Sequence, residues 1–126
     1  MAVKYVVVAR GNPQDREAPK KFYPRVKSTG QANIQDVAGR ASEMSTFSPI
    51  DLAAAVETFL HVIPKELAVG HTVQLGDFGT FSLRIRSEGS DTEEEVSSRN
   101  ITRTVLSFRP GKRVKKIIDQ IEYEPF

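Results

Sequence analysis

Two short motifs, held apart by a long polar segment, constrain this chain more than any other feature. The first is Val73-Gln74-Leu75-Gly76-Asp77-Phe78-Gly79-Thr80-Phe81, and the second is Leu106-Ser107-Phe108-Arg109-Pro110-Gly111-Lys112. Val73 and Leu75 alternate with polar neighbours, as do Phe81, Leu83 and Ile85. That period predicts strands with one buried face. Gly76-Asp77 lies between the two runs, and glycine at the first central position suits a type II′ hairpin turn. Gly79, inside the second run, marks a bulge or a close packing contact. On the return, Val105, Ser107 and Arg109 fall on one face, Leu106 and Phe108 on the other. Pro110 fits the first turn of a helix, where its missing N–H is no loss. Val114, Ile117, Ile118 and Ile121 follow at helical spacing. The whole predicts a hairpin whose strands extend as an arm, at about residues 84–105, and return into a basic helix.

Upstream, Asn33 suits a helix N-cap with Asp36 three residues on. Ile34, Val37, Ala38, Ala41 and Met44 then mark an apolar face. A second helix starts at Ser48 (N-cap) and Pro49 (N1), with Phe47 and Leu52 placed as a hydrophobic staple. Ile50, Leu52, Ala53, Val56, Phe59, Leu60 and Ile63 cover more than one stripe of it. A helix apolar over so much of its circumference is buried on two sides, and in a chain this short the second surface is another copy of itself. Pro64 is expected to break or kink this helix, leaving a short turn that ends at Gly70. A helix–turn–helix reading fails, because the second helix offers Ile50, Asp51 and Leu52 where a recognition helix presents polar and basic groups.

These elements make an α+β chain. Leu75 to Phe81, followed by Phe108-Arg109-Pro110-Gly111-Lys112, resembles the bacterial HU/IHF histone-like DNA-binding proteins, and the resemblance covers roughly residues 32–121. It implies an HU/IHF-like fold with an N-terminal helix pair, a β-sheet bearing a long β-arm, and a C-terminal helix. It further implies an intertwined homodimer whose two arms embrace double-stranded DNA through the minor groove, in the cytoplasm at the bacterial nucleoid. The expected dimer core is Leu52, Val56, Phe59, Leu60, Phe78, Phe81 and Phe108.

The candidate DNA contacts are Arg84 and Arg86 on the outgoing strand and Arg99, Arg103 and Arg109 on the returning one. Lys112, Arg113, Lys115 and Lys116 add to them from the last helix, whose positive end offers an anion site in principle. Strand arginines two residues apart point the same way and can follow phosphates or a narrowed minor groove. Between the strands, Ser87 to Glu95 holds five acidic residues and no basic one. Carboxylates repel phosphates. The segment also lacks the proline that HU arms carry near the tip, so the wedge between base pairs is not carried over. A solvated flexible loop is the expectation for it.

Residues 1–30 read as a β extension ahead of a domain at 31–126. Tyr5 to Val8 predicts a strand. Arg10-Gly11-Asn12-Pro13 is a turn signal, and Asp15 to Lys21 a charged loop. Phe22 to Val26 predicts a second strand, confined to a sheet edge by Pro24. Arg10, Arg16, Lys20, Lys21 and Arg25 could contact DNA or a partner, but Asp15 and Glu17 dilute their charge, and a hairpin covering the body is the preferred reading. The tail from Asp119 to Phe126 is acidic and aromatic, with no assigned place.

Other chemistries find little support. The chain has 126 residues, no cysteine and a net charge of +2. Disulfides and thiol catalysis are excluded. No apolar stretch has the length of a membrane span, and no secretory signal is evident at the start. His61 and His71 lack metal-ligand spacing, and no nucleophile elbow or phosphate loop occurs. No enzyme activity, cofactor, metal or small-molecule substrate is expected. Two functions remain: a histone-like DNA-binding dimer of low sequence specificity, and an HU-like fold repurposed as a protein–protein module working through the acidic arm.

Overall fold

The β-branched and aromatic run near the start forms β1 (Ala2–Arg10), and a turn returns the chain as β2 (Lys21–Val26). Their computed structural model describes residues 2–126. The turn is closed by the Asn12 side chain, which accepts from the Gln14 N–H at 2.9 Å, and by the Asp15 N–H donating to the Asn12 carbonyl. Pro24 pairs with Val7 on an edge strand, as its missing N–H requires. The helix pair is therefore not N-terminal in this chain, since two strands precede it.

Helix α1 (Ile34–Glu43) is capped by Asn33, with a reciprocal bond between the Asp36 carboxylate and the Asn33 N–H. Helix α2 (Pro49–Ala68) starts on Ser48, whose hydroxyl accepts from the Asp51 N–H. It is not broken at Pro64, contrary to expectation. Leu67, one of the most buried residues, lies beyond the proline, and its packing keeps the last turn in line. The helix ends on Gly70 at φ +90°, where Gly70 N–H reaches the Leu67 carbonyl and His71 N–H the Glu66 carbonyl. That pair of bonds is the Schellman arrangement. α1 packs on α2, and α2 lies against the second sheet.

The second sheet has the order β3 (Val73–Gln74), β4 (Gly79–Ser87), β5 (Ile101–Pro110). The Leu75 carbonyl accepts from Phe78 N–H across the turn, and Gly76 sits at φ +55°. Positive φ at the first central position is what a type II′ turn needs. Pro110 does not enter a helix; it closes β5 opposite Gly79. Gly111 is the N-cap of α3 (Lys112–Ile118).

After α3 the tail forms β6 (Glu122–Pro125), which pairs in parallel with β1. The first sheet thus has the order β2-β1-β6 and joins both ends of the chain. Across the described residues, Ala38 and Leu67 alone make up the buried hydrophobic class. The expected dimer-core residues are partly covered or open in the single chain: Leu52, Val56 and Phe81 are half-buried, Phe78 and Phe108 more exposed, and Phe59 and Leu60 largely exposed. Phe108 stacks within the chain on Phe81, at 4.7 Å between ring centroids, and on Phe78 at 5.5 Å.

Candidate nucleic-acid interface

The ribbon of β4 and β5 sorts its side chains by register. Phe81 pairs with Phe108, Leu83 with Leu106 and Ile85 with Thr104, so these share one face. Thr80 pairs with Arg109, Ser82 with Ser107, Arg84 with Val105 and Arg86 with Arg103, which share the other. Four of the predicted arginines, Arg84, Arg86, Arg103 and Arg109, therefore stand on a single exposed face. None of them makes an ion pair among the described residues. Arg86 and Arg103 are directly opposed, an arrangement that destabilises a bare ribbon. An anion laid along the face would relieve it.

Between these arginines runs a polar groove of about 440 Å³ lined by Thr72, Thr80, Ser82, Arg84, Ser107 and Arg109. The threonines and serines were not singled out from the sequence. Thr80, Ser82 and Ser107 lie at steps of two from Arg84 and Arg109, which was the available signal, while Thr72, ahead of β3, gave none. They offer hydroxyls, the side chains that commonly contact phosphate beside arginine.

Arg99 is misplaced by the strand reading. It lies in a single 3₁₀ turn, Ser98–Asn100, ahead of β5. The arm tip is also more structured than the flexible loop expected of so acidic a segment. It contains a second 3₁₀ turn, Glu93–Glu95, and is tied across its base by Asn100. The Asn100 amide donates to the Glu88 carbonyl at 2.7 Å and to Ser90 Oγ at 2.9 Å, while its oxygen accepts from Ser97 N–H. Below it, Thr102 is the extra residue of a β-bulge, and its hydroxyl donates to the Arg86 carbonyl. A bulge bends and twists the ribbon where the arginines end. The acidic side chains of the tip remain exposed.

Helix α3 exposes Lys112, Arg113, Lys115 and Lys116, with Val114 half-buried beneath. Ile117 and Ile118, expected to pack under them, are each about half exposed at 49%. The hairpin turn occupies part of the helix start, where the anion site was expected. The Gly111 N–H donates to the Phe78 carbonyl at 2.8 Å and the Arg113 N–H to the Asp77 carbonyl at 3.1 Å, so the hairpin turn caps this helix. A Cβ on Gly111 would run into the Asp77 carbonyl, which explains the glycine.

His71 Nδ1 lies 2.7 Å from Glu66 Oε2 at the end of α2, and His61 is exposed. No group of three metal-binding side chains occurs among the described residues, and no described helix is long and apolar enough to cross a membrane.

A helix pair, a short sheet and an arginine-faced ribbon returning into a basic helix define an HU-like α+β protein. Residues 1–125 match the model of the HU-HIG family, described as an HU domain fused to wHTH, Ig or a glycine-rich motif, and the chain belongs to that family. It is 32% identical over 93 residues to integration host factor subunit alpha of Vibrio atlanticus, covering 71% of this chain and 93% of the relative. It is also 32% identical over 91 residues to DNA-binding protein HU of Streptococcus mutans, covering 69% and 98%. Among solved structures, a proposed DNA-binding protein of Bacteroides vulgatus matches 99% of this chain with a TM-score of 0.66 at 14% identity; the chain spans 48% of that protein. The Anabaena HU–DNA cocrystal structure matches 71% of this chain and 99% of its own, with a TM-score of 0.55 at 18% identity. The family is one of DNA-binding proteins, and the non-enzymatic reading rests on that membership.

Proposed function

We propose that this chain is a histone-like, nucleoid-associated protein that binds double-stranded DNA with low sequence specificity, as a homodimer. The observation that carries the reading is the single exposed face bearing Arg84, Arg86, Arg103 and Arg109 on one ribbon. Arginines on a two-stranded ribbon can follow phosphates and enter a narrow minor groove. Lys112, Arg113, Lys115 and Lys116 on α3 add backbone contacts through their side chains, and Arg99 contributes from the tip end of the arm. Phosphate contacts position a protein but carry no sequence information, hence the low specificity.

The domain division follows the same reading: a β extension at 1–30 on an HU-like domain at 31–126, with the tail pairing back onto the extension. The dimer is supported by the apolar surface left open on one chain. Leu60, Ile63, Leu67, Phe81, Leu83 and Leu106 line an apolar groove of about 440 Å³ between α2 and the ribbon. A chain of this size with so little buried apolar surface gains its core by association.

The second reading, a protein–protein module, is favoured by one observation. Glu88, Asp91, Glu93, Glu94 and Glu95 stand exposed on an ordered tip and would repel DNA there. Anisotropy of a labelled random-sequence duplex across a salt series separates the two. Micromolar or tighter binding that weakens steeply with salt supports the DNA reading. No binding at low salt removes it and leaves the acidic tip as the surface to test against protein partners.

A further inference from the structure

Charge is divided unevenly along this chain. Residues 1–30 hold seven Lys and Arg against two Asp and Glu, a net of +5, while the remaining 96 residues hold eleven against fourteen, a net of −3. The overall +2 therefore hides a basic extension on an acidic body.

The first sheet separates that charge by face. Tyr5 pairs with Val26, Val7 with Pro24 and Ala9 with Phe22, and Val3 pairs with Tyr123, so this face carries no charged residue. The other face carries Arg10 opposite Lys21, Tyr23 opposite Val8, and Arg25 opposite Val6. Lys4, on the same face, is ion-paired with Glu124 on β6, and Glu122 stands on this face opposite Ala2, at the end of the sheet away from Arg10 and Lys21. Arg10, Lys21 and Arg25 have no ion-pair partner among the described residues. Arg10 and Lys21 are directly opposed like charges, the same arrangement as Arg86 and Arg103 on the arm. The guanidinium of Arg10 lies 5.9 Å from the centre of the Tyr23 ring. Around them and the β1–β2 turn is a groove of about 500 Å³ lined by Arg10, Asn12, Pro13, Pro19, Lys21 and Tyr23.

The two carboxylates that dilute this charge in the sequence do not lie on the basic strand face. Both are in the hairpin loop, and Asp15 Oδ1 accepts from the Glu17 N–H at 3.1 Å. Lys20 and Arg16 extend the positive surface into the same loop.

We infer that the basic face of the first sheet, centred on Arg10, Lys21 and Arg25, is a second DNA-backbone contact that lengthens the footprint of the arm. The inference rests on the DNA-binding reading above. A cationic face with an aromatic phenol and no exposed aliphatic cluster fits a polyanion backbone. A membrane-binding surface would instead place its apolar and basic side chains together, with the apolar ones inserted. Here the two chemistries occupy opposite faces.

The test compares the full chain with its Arg10→Gln/Lys21→Gln/Arg25→Gln variant on a random-sequence duplex across a salt series. Each phosphate contact contributes about 0.9 to the log–log slope. The variant slope is expected to be shallower by about 2 to 3 for each chain whose basic face meets DNA, and each such chain makes affinity change roughly 15- to 60-fold less than wild type between 50 and 200 mM salt. An Arg10→Lys/Arg25→Lys variant keeps the charge and is expected to keep the slope. Should the triple variant fail to fold, Lys20→Gln/Lys21→Gln at the loop edge is expected to lower the slope by about 1 to 2. A folded variant with an unchanged slope on a duplex that wild type binds overturns this inference and leaves the DNA reading standing. Loss confined to single strands or to phosphatidylglycerol vesicles overturns it as well. Failure of wild type to bind the duplex removes the DNA reading itself.

Discussion

Two glycines set how closely the hairpin turn, the arm and the last helix approach. Gly79 lies at φ +152°, and a Cβ there would sit 2.5 Å from the Arg109 carbonyl and 2.6 Å from the Phe108 ring. Gly111 would drive a Cβ into the Asp77 carbonyl. Both obstructions include backbone, which cannot swing aside as a flexible side chain can. We expect Gly79→Ala and Gly111→Ala each to destabilise the fold by roughly 1–3 kcal/mol, from overpacking and, at Gly79, a disfavoured backbone region. Urea unfolding of each variant measures this, and a loss under 0.5 kcal/mol at either site would contradict the packing described. The role of Gly79 was legible in the sequence, since a glycine inside an alternating run signals close approach. That of Gly111 was not. The proline before it suggested a helix start two residues early, and the carbonyls that cap α3 come from a turn more than thirty residues upstream, beyond any local pattern.

At the level of elements, the arm is a basic ribbon with an acidic end, and Asn100 holds the two parts in register. Its side chain satisfies three groups of the tip at once. Replacing Asn100 with alanine is expected to raise amide exchange across residues 88–100 at least tenfold while leaving β1 to α2 unchanged; uniform exchange throughout would contradict the tether. Removing charge at the tip, by Glu93→Gln/Glu94→Gln/Glu95→Gln, is expected to tighten duplex binding severalfold at low salt, because carboxylates near phosphates oppose it. Unchanged affinity would place the tip away from the DNA. Periodicity revealed both strands of this ribbon, their faces and the N-caps of α1 and α2. It placed Arg99 on a strand because a 3₁₀ turn of three residues leaves no period to read. β6 escaped notice for a different reason. Glu122-Tyr123-Glu124-Pro125 is short and poor in strand formers, and its pairing with β1 joins residues 120 apart. Pro64 shows the reverse case, a strong local signal overridden by packing of the turn that follows it.

For the molecule as a whole, the open apolar surfaces decide the behaviour. Phe59 is 62% exposed and Leu60 51%, on a helix that also lines the groove beneath the ribbon. A soluble chain does not leave such side chains in water, so we expect light scattering to give twice the chain mass and Leu60→Glu to yield monomer or unfolded protein. A stable wild-type monomer would contradict this. The resemblance carried by the two motifs made the HU-like body legible, while the chain-spanning first sheet and the division of charge between extension and body emerged only with strand register. The most direct test of DNA binding through the arm face is the salt dependence of duplex binding for Arg84→Gln/Arg86→Gln/Arg103→Gln beside wild type. The expected result is a folded dimer whose log–log slope is shallower by about 3 for each chain whose three arginines meet phosphate. A folded variant that binds the same duplex with the wild-type slope would show that DNA does not lie along this face.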